Sequence, residues 1–317
     1  MSDRREEDLT RTWSDGLDDE VRLRIVLTGD PRSEGIRSFA EKLRAVAPRV
    51  RVSLERETGS DAPAILVGSR VRYHAAPTGT ELAPFLEAAQ RFSAASRPGE
   101  RADGPARSDV RVYVASQCPH CPAAVRELFG LLAEDTSVTL TVVDAELCAE
   151  MAAGDRVRSV PTVMAGSHYR STGIVSIEEI RGALAGTRPD GPMLERMLDG
   201  GEAEGVAAMM AEAGEVFPAV LDRLAHSTMS ARLGAMAALE RLAESAPAAA
   251  RTAEAGLWER IAGASREATG DLLYMIGEVG TAGSVPRLEA FLESTADDDL
   301  REAATDALAR IAGRTQD

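Results

Sequence analysis

Four consecutive residues, Cys118-Pro119-His120-Cys121, carry the clearest chemistry in this 317-residue chain. Two thiols separated by two residues can exchange disulfides or help to ligate a metal. The flanking sequence bears on the choice. VRVYVAS (110–116) reads as a strand, and the stretch from about Pro119 to Leu132 reads as a helix. A cysteine where a helix begins faces unpaired amide N–H groups and the positive end of the helix dipole, and both favour a thiolate. The second thiol lies one turn further along, close enough to attack a mixed disulfide on the first. Cys118 is therefore expected as the exposed nucleophile and Cys121 as the buried resolving thiol. Pro122 costs little there, because its missing N–H would have lacked a partner anyway. A zinc site would need two further ligands, and no second CxxC or paired-histidine motif supplies them. His120 between the thiols adds positive potential beside the Cys118 sulfur, which stabilises the reduced form and makes the disulfide more oxidising. The alternative is an exposed imidazole with little influence.

The elements that must position this pair recur twice. Residues 21–95 offer strands at 21–28, 50–55, 64–69 and 71–76, with helices at 36–47 and 80–92. Residues 110–186 repeat the order: strands at 110–116, 138–145, 161–166 and 169–175, helices at about 119–132 and 176–186, and a short helix near 147–154. Each block has a βαβ start and a ββα finish. Between them, SRPGERADGPARSD (96–109) reads as a linker, and TRPDGP (187–192) marks a second break. The first twenty residues contain no apolar run and are expected to be a disordered tail without a signal peptide.

The second block resembles the thioredoxin superfamily through its element order, its CPHC, and Ser159-Val160-Pro161-Thr162, whose proline follows Cys118 by 43 residues. The resemblance implies a cis-Pro161 facing the cysteines, with substrate contacts at Val160 and Thr162. The Pro119-His120 dipeptide also resembles that of periplasmic disulfide-forming oxidases. The first block has Ala62-Pro63-Ala64 where the proline strand should start, yet Thr28-Gly29-Asp30-Pro31 stands where the cysteines should be. A silent fold followed by an active one resembles glutaredoxin-like protein disulfide oxidoreductases and the N-terminal domain of the alkyl hydroperoxide reductase flavoprotein, over about residues 21–186. In that flavoprotein domain a Gly-x-Glu opens the last helix of the silent fold. Gly79-Thr80-Glu81 matches it, which implies that Glu81 acts as proton acceptor or pKa tuner near Cys121. The alternative is a glutamate simply favoured by the helix dipole. Asp144 is a weaker candidate for the same role.

Residues 193–317 are Ala-, Leu- and Glu-rich without strand signals. Arg232, Arg266 and Arg301 recur 34 and 35 residues apart, in step with Leu239/Leu273/Leu308, Ala238/Leu272/Ala307 and Leu242/Ile276/Ile311. The preceding helices align through Leu221/Trp258/Leu288 and Leu224/Ile261/Phe291. A period in the mid-thirties with two helices per unit reads as an α-solenoid of HEAT-like repeats, with 194–214 as a degenerate capping unit; a plain helical bundle is the alternative.

The 51 acidic and 36 basic residues give a formal charge of −15, which disfavours nucleic-acid and membrane-surface binding. Three cysteines in a chain without an apolar leader suggest a cytoplasmic protein, with Cys148 left over as a small partly buried residue. No GxGxxG follows a strand, and Gly277, Gly280 and Gly283 have the wrong spacing, so no cofactor is expected. Electrons must come from a separate reductase or leave to a separate oxidant. The expected fold class is α/β plus all-α, two tandem thioredoxin-like folds and then a short solenoid. The expected function is protein-disulfide exchange through Cys118 and Cys121, with the repeats binding a protein partner. A redox-sensing or structural scaffold is the competing reading.

Overall fold

The computed structural model describes residues 2–57, 62–93, 108–166, 168–173, 175–226 and 228–314. The chain forms two compact units, residues 1–186 and 187–317.

The first unit is built on one eight-stranded sheet. Its strands are β1 (Val21–Leu27), β2 (Val50–Arg56), β3 (Ala64–Val67), β4 (Val71–His74), β5 (Ser108–Val114), β6 (Val138–Asp144), β7 (Thr162–Ala165) and β8 (Tyr169–Thr172). They lie in the order β2-β1-β3-β4-β6-β5-β7-β8. Each half of the sheet has the same arrangement: a parallel pair, then two antiparallel neighbours. The halves join where β4 runs parallel to β6, with Tyr73 opposite Val142.

The strand patterns explain this order. In β1 the exposed Arg22 and Arg24 alternate with the buried Leu23 and Ile25 before the strand becomes wholly buried. All four residues of β3 are buried, as expected for a central strand covered on both faces. The edge strand β2 instead exposes Leu54. Helices α2 (Arg32–Val46) and α3 (Leu82–Phe92) pack on the first half of the sheet, and α4 (Cys121–Glu134) and α6 (Ile177–Leu184) on the second. Phe92 of α3 meets Phe129 of α4 edge-on, with ring centroids 5.5 Å apart. The short α5 (Ala149–Gly154) follows β6.

Two sequence expectations need correction. Residues 2–15, expected within a disordered tail, form helix α1 (Ser2–Asp15), which packs against α2 and α3. Its buried face uses Thr10 and Ser14 with Leu17 just beyond, so it carries no apolar run for a sequence pattern to detect. The helix expected from Pro119 begins at Cys121 instead, with His120 as its cap residue. The linker expected at 96–109 lies outside the described residues except for Ser108 and Asp109, which open β5.

The second unit is helical: α7 (Gly191–Asp199), α8 (Ala203–Ala213), α9 (Pro218–Leu224), α10 (Met229–Ser245), α11 (Pro247–Ala250), α12 (Ala253–Ile261), α13 (Arg266–Val279), α14 (Val285–Ser294) and α15 (Asp298–Arg314). Helix α10 packs on α8, α13 on α10, and α15 on α13. The aligned residues Leu239, Leu242, Leu272, Leu273, Ile276, Ala307 and Ile311 are all buried. Gly277 lets α13 and α15 approach closely: a Cβ there would sit 2.9 Å from the Ala307 Cα. Gly277 thus serves helix packing, whereas Gly280 ends α13 and Gly283 lies in a 3-10 turn. Asp297 accepts the amides of Asp299 and Leu300 at the start of α15, which caps the helix.

Candidate active site

Strand β5 delivers the chain to the carboxyl end of the sheet, and the loop after it turns into α4 at Cys121. Cys118 and Cys121 form a disulfide with Cα atoms 5.5 Å apart. Cys118 is partly exposed and Cys121 has no exposure, the asymmetry expected of a nucleophile and a resolving thiol. The amide of Cys121 donates to Cys118 Sγ at 3.1 Å. In the reduced pair the same N–H faces a developing thiolate, which a helix-terminal donor stabilises. Pro119 and His120 are exposed. The His120 side chain makes no cap hydrogen bond. The pair equilibrated with glutathione should have a potential above the thioredoxin value of about −270 mV; a value at or below it contradicts the role given to His120.

The Val160–Pro161 bond is cis, and the Val160 carbonyl oxygen lies 3.9 Å from Cys118 Sγ. The cis-proline segment and the cysteine loop thus lie side by side. Thr162 is placed differently. It is 1% exposed and paired in the sheet with both Tyr113 and Thr172. Its hydroxyl donates to the Ser159 carbonyl at 2.7 Å and lies 3.1 Å from Thr172 Oγ1. Expected to touch substrate, Thr162 is an interior residue whose side chain instead holds the turn around Pro161.

The first half of the sheet contributes directly to this site. Gly79–Glu81 forms a 3-10 turn leading into α3. Gly79 has φ of +60°, and a Cβ there would come within 2.4 Å of the Ser116 carbonyl oxygen, so only glycine fits. The Thr80 amide donates to Ser116 O at 3.0 Å. Its hydroxyl lies 3.1 Å from the carbonyl oxygens of both Ser116 and Cys118. Glu6 of α1 accepts the Gly79 amide at 2.9 Å. The turn is therefore fastened to the cysteine loop on one side and to α1 on the other. The sequence pattern missed the Glu6 contact, because nothing in a polar helix marks such a partner.

This docking buries Glu81, which is 5% exposed and shares a small cavity with Cys121. Burial, then the nearby charges of Asp144 and Glu146, push its carboxyl up to about 8 from an ordinary 4.5. A group poised there can accept or release a proton near neutrality. Asp144 is 3% exposed, and its carboxylate accepts the amides of Glu146 and Leu147, so it shapes the turn after β6.

The corresponding loop of the first half, after β1, holds an ion pair in place of thiols. Arg32 donates to Asp30 through Nε at 2.8 Å and Nη2 at 2.5 Å, and the pairing holds the Asp30 carboxyl down at about 2. Arg32 also reaches the Leu147 carbonyl at 3.3 Å and pairs with Glu150. Cys148 is free, 1% exposed, and its thiol is pushed up to about 11 by burial. That environment makes it a poor nucleophile. Among the described residues, no group of three or more His, Cys, Asp or Glu is placed to hold a metal ion, and no helix is long and apolar enough to cross a membrane.

Residues 108–185 match the family model of the thioredoxin domain. In solved structures, the chain is similar to the NTD_N/C domain of the alkylhydroperoxide reductase AhpF from Enterococcus faecalis, at 17% identity and a TM-score of 0.48, covering 57% of this chain and 98% of that one. It is also similar to a protein disulfide oxidoreductase from Aeropyrum pernix, at 19% identity and a TM-score of 0.46, covering 58% and 94%. Comparison with curated proteins gives no match. The cysteine loop, the cis proline and α4 all lie within the matched residues 108–185, whereas Glu81 lies outside them.

Proposed function

We propose that the protein is a thiol–disulfide oxidoreductase acting on protein substrates through Cys118 and Cys121. The observation that carries this reading is a disulfide with one partly exposed and one buried sulfur, at the start of α4 and facing a cis proline. In the reducing direction, the Cys118 thiolate attacks a substrate disulfide, forms a mixed disulfide and releases one substrate thiolate. Cys121 gives its proton to Glu81 and attacks Cys118 Sγ; the second substrate thiolate leaves, and the two electrons have passed to substrate. A dithiol of a separate reductase restores the pair, or a separate oxidant maintains it when the flow is reversed. Val160 offers backbone to an extended substrate, and Pro161 shapes that approach.

The first half of the sheet, with the same strand order and no cysteines, is read as a second, redox-silent thioredoxin-like fold. The helical unit is read as HEAT-like repeats: α9 with α10, α12 with α13 and α14 with α15, capped by α7 and α8. Such stacks present an extended surface for a protein partner. A reducing cytoplasm is the compartment that suits an exchanging pair.

The test is a Cys121→Ser variant in cells. It should accumulate mixed disulfides through Cys118, and their protein partners can be identified by mass spectrometry. Absence of any adduct on Cys118 would favour the scaffold reading instead.

A further inference from the structure

Glu81 is not the only buried polar group of the first half that reaches the cavity beside Cys121. Tyr73, in β4, is 2% exposed, and its ring stands edge-on to Phe85 with centroids 5.1 Å apart and planes at 87°. That packing fixes where its hydroxyl points. Among the described residues, neither the Tyr73 hydroxyl nor Glu81 Oε1 has a protein hydrogen-bond partner. Both side chains line the cavity, whose other walls include Cys121, Val114, Val125 and Val142. Buried polar atoms left unpaired in apolar surroundings are rare because they are costly. The cavity that both side chains line has room for about one water.

We propose that Tyr73 is a positioning residue for proton transfer: its hydroxyl donates through one water to the Glu81 carboxylate, and so sets the proton affinity of the group that takes the Cys121 proton. This rests on the thiol-exchange reading above. The groups bearing on the pair are Cys121 from α4, Asp144 and Glu146 from the end of β6 and the turn after it, and Glu87 from α3. Glu87 is engaged with Arg126 at 2.7 Å. The charges acting on Glu81 are therefore acidic and oppose its ionisation. Tyr73 supplies the donor that favours the ionised form. The proton step belongs to resolution: the Cys121 S–H proton passes to the Glu81 carboxylate, Cys121 Sγ bonds to Cys118 Sγ, and the bond from Cys118 to the substrate sulfur breaks with its electron pair leaving on that sulfur.

The experiment uses the reduced full chain and one equivalent of 5,5′-dithiobis(2-nitrobenzoate). Attack by Cys118 releases one thionitrobenzoate, and resolution by Cys121 releases the second. The rate of the second phase is followed across about pH 5–10, a range that spans Glu81 and the thiols. In wild type this rate should rise through an inflection belonging to Glu81. Tyr73→Phe, which keeps the ring and its packing, should move that inflection up by roughly half to one pH unit with the same plateau. Glu81→Gln should remove it. A Tyr73→Phe profile superimposed on wild type overturns the role of Tyr73 and leaves the oxidoreductase reading standing. Absence of the second phase in wild type overturns both.

Discussion

Glu81→Gln will make the protein more stable at alkaline pH and slower to resolve mixed disulfides. The stability effect follows from the sign of the pKa shift. Folding raises the Glu81 carboxyl from 4.5 to about 8, chiefly by burial. The folded protein therefore holds a proton that the unfolded chain has already released between these values. The stability contributed by the neutral carboxyl is complete below pH 4.5 and is lost as pH rises through about 8. The shift of 8 − 4.5 = 3.5 units, at about 1.4 kcal/mol per unit, sets an upper bound of about 5 kcal/mol. A neutral amide of the same shape has no such dependence. Chemical denaturation at about pH 9 should show the variant more stable by a few kcal/mol, and the difference should vanish near pH 4. Equal stability at both pH values would place the Glu81 proton elsewhere. If Glu81 is the proposed base for Cys121, the same substitution should slow the resolution step by about 10²–10⁴-fold, the usual worth of a positioned general base.

Cys118→Ser will abolish disulfide reductase turnover. No other thiol can replace it. Cys121 has no exposed surface and Cys148 has 1%, so neither can meet a substrate disulfide. The Cys148 thiol, moreover, stays protonated because burial holds it at about 11. A hydroxyl in place of the thiolate is a far weaker nucleophile toward sulfur, and loss of a covalent nucleophile typically costs several orders of magnitude. The fold should survive, because the position lies in a partly exposed loop ahead of α4.

Much of the sheet was legible because its strands carry a simple physical signature. Exposed Arg22 and Arg24 alternate with buried Leu23 and Ile25, and Ala64–Val67 is apolar and buried throughout. The cysteine pair was legible because strand, loop and helix are contiguous in the chain. The Val160-Pro161 contact came from a resemblance to thioredoxins, since spacing alone does not show that two distant segments meet. Three features escaped. Helix α1 buries Thr10 and Ser14 in place of a hydrophobic stripe. Thr162 is expected at the substrate from the resemblance, but its side chain is buried against Ser159 and Thr172. Tyr73 reads as an ordinary strand residue, and only the β4–β6 pairing brings it to the cavity beside Cys121. In each case the missing information was long-range.

On the proposed mechanism, the cysteine-free half would supply the proton acceptor for the thiols of the other half. Its Gly79-Thr80-Glu81 turn is held on the cysteine loop by Thr80 and can approach so closely only because position 79 has no Cβ. Thiol exchange itself, however, is the claim on which every other role depends. It is tested most directly by the reduction of insulin with dithiothreitol, followed by precipitation of the freed B chain. Wild type should accelerate precipitation well above the dithiothreitol background, and Cys118→Ser should match that background. Wild type at background, or Cys118→Ser at the wild-type rate, would contradict the account.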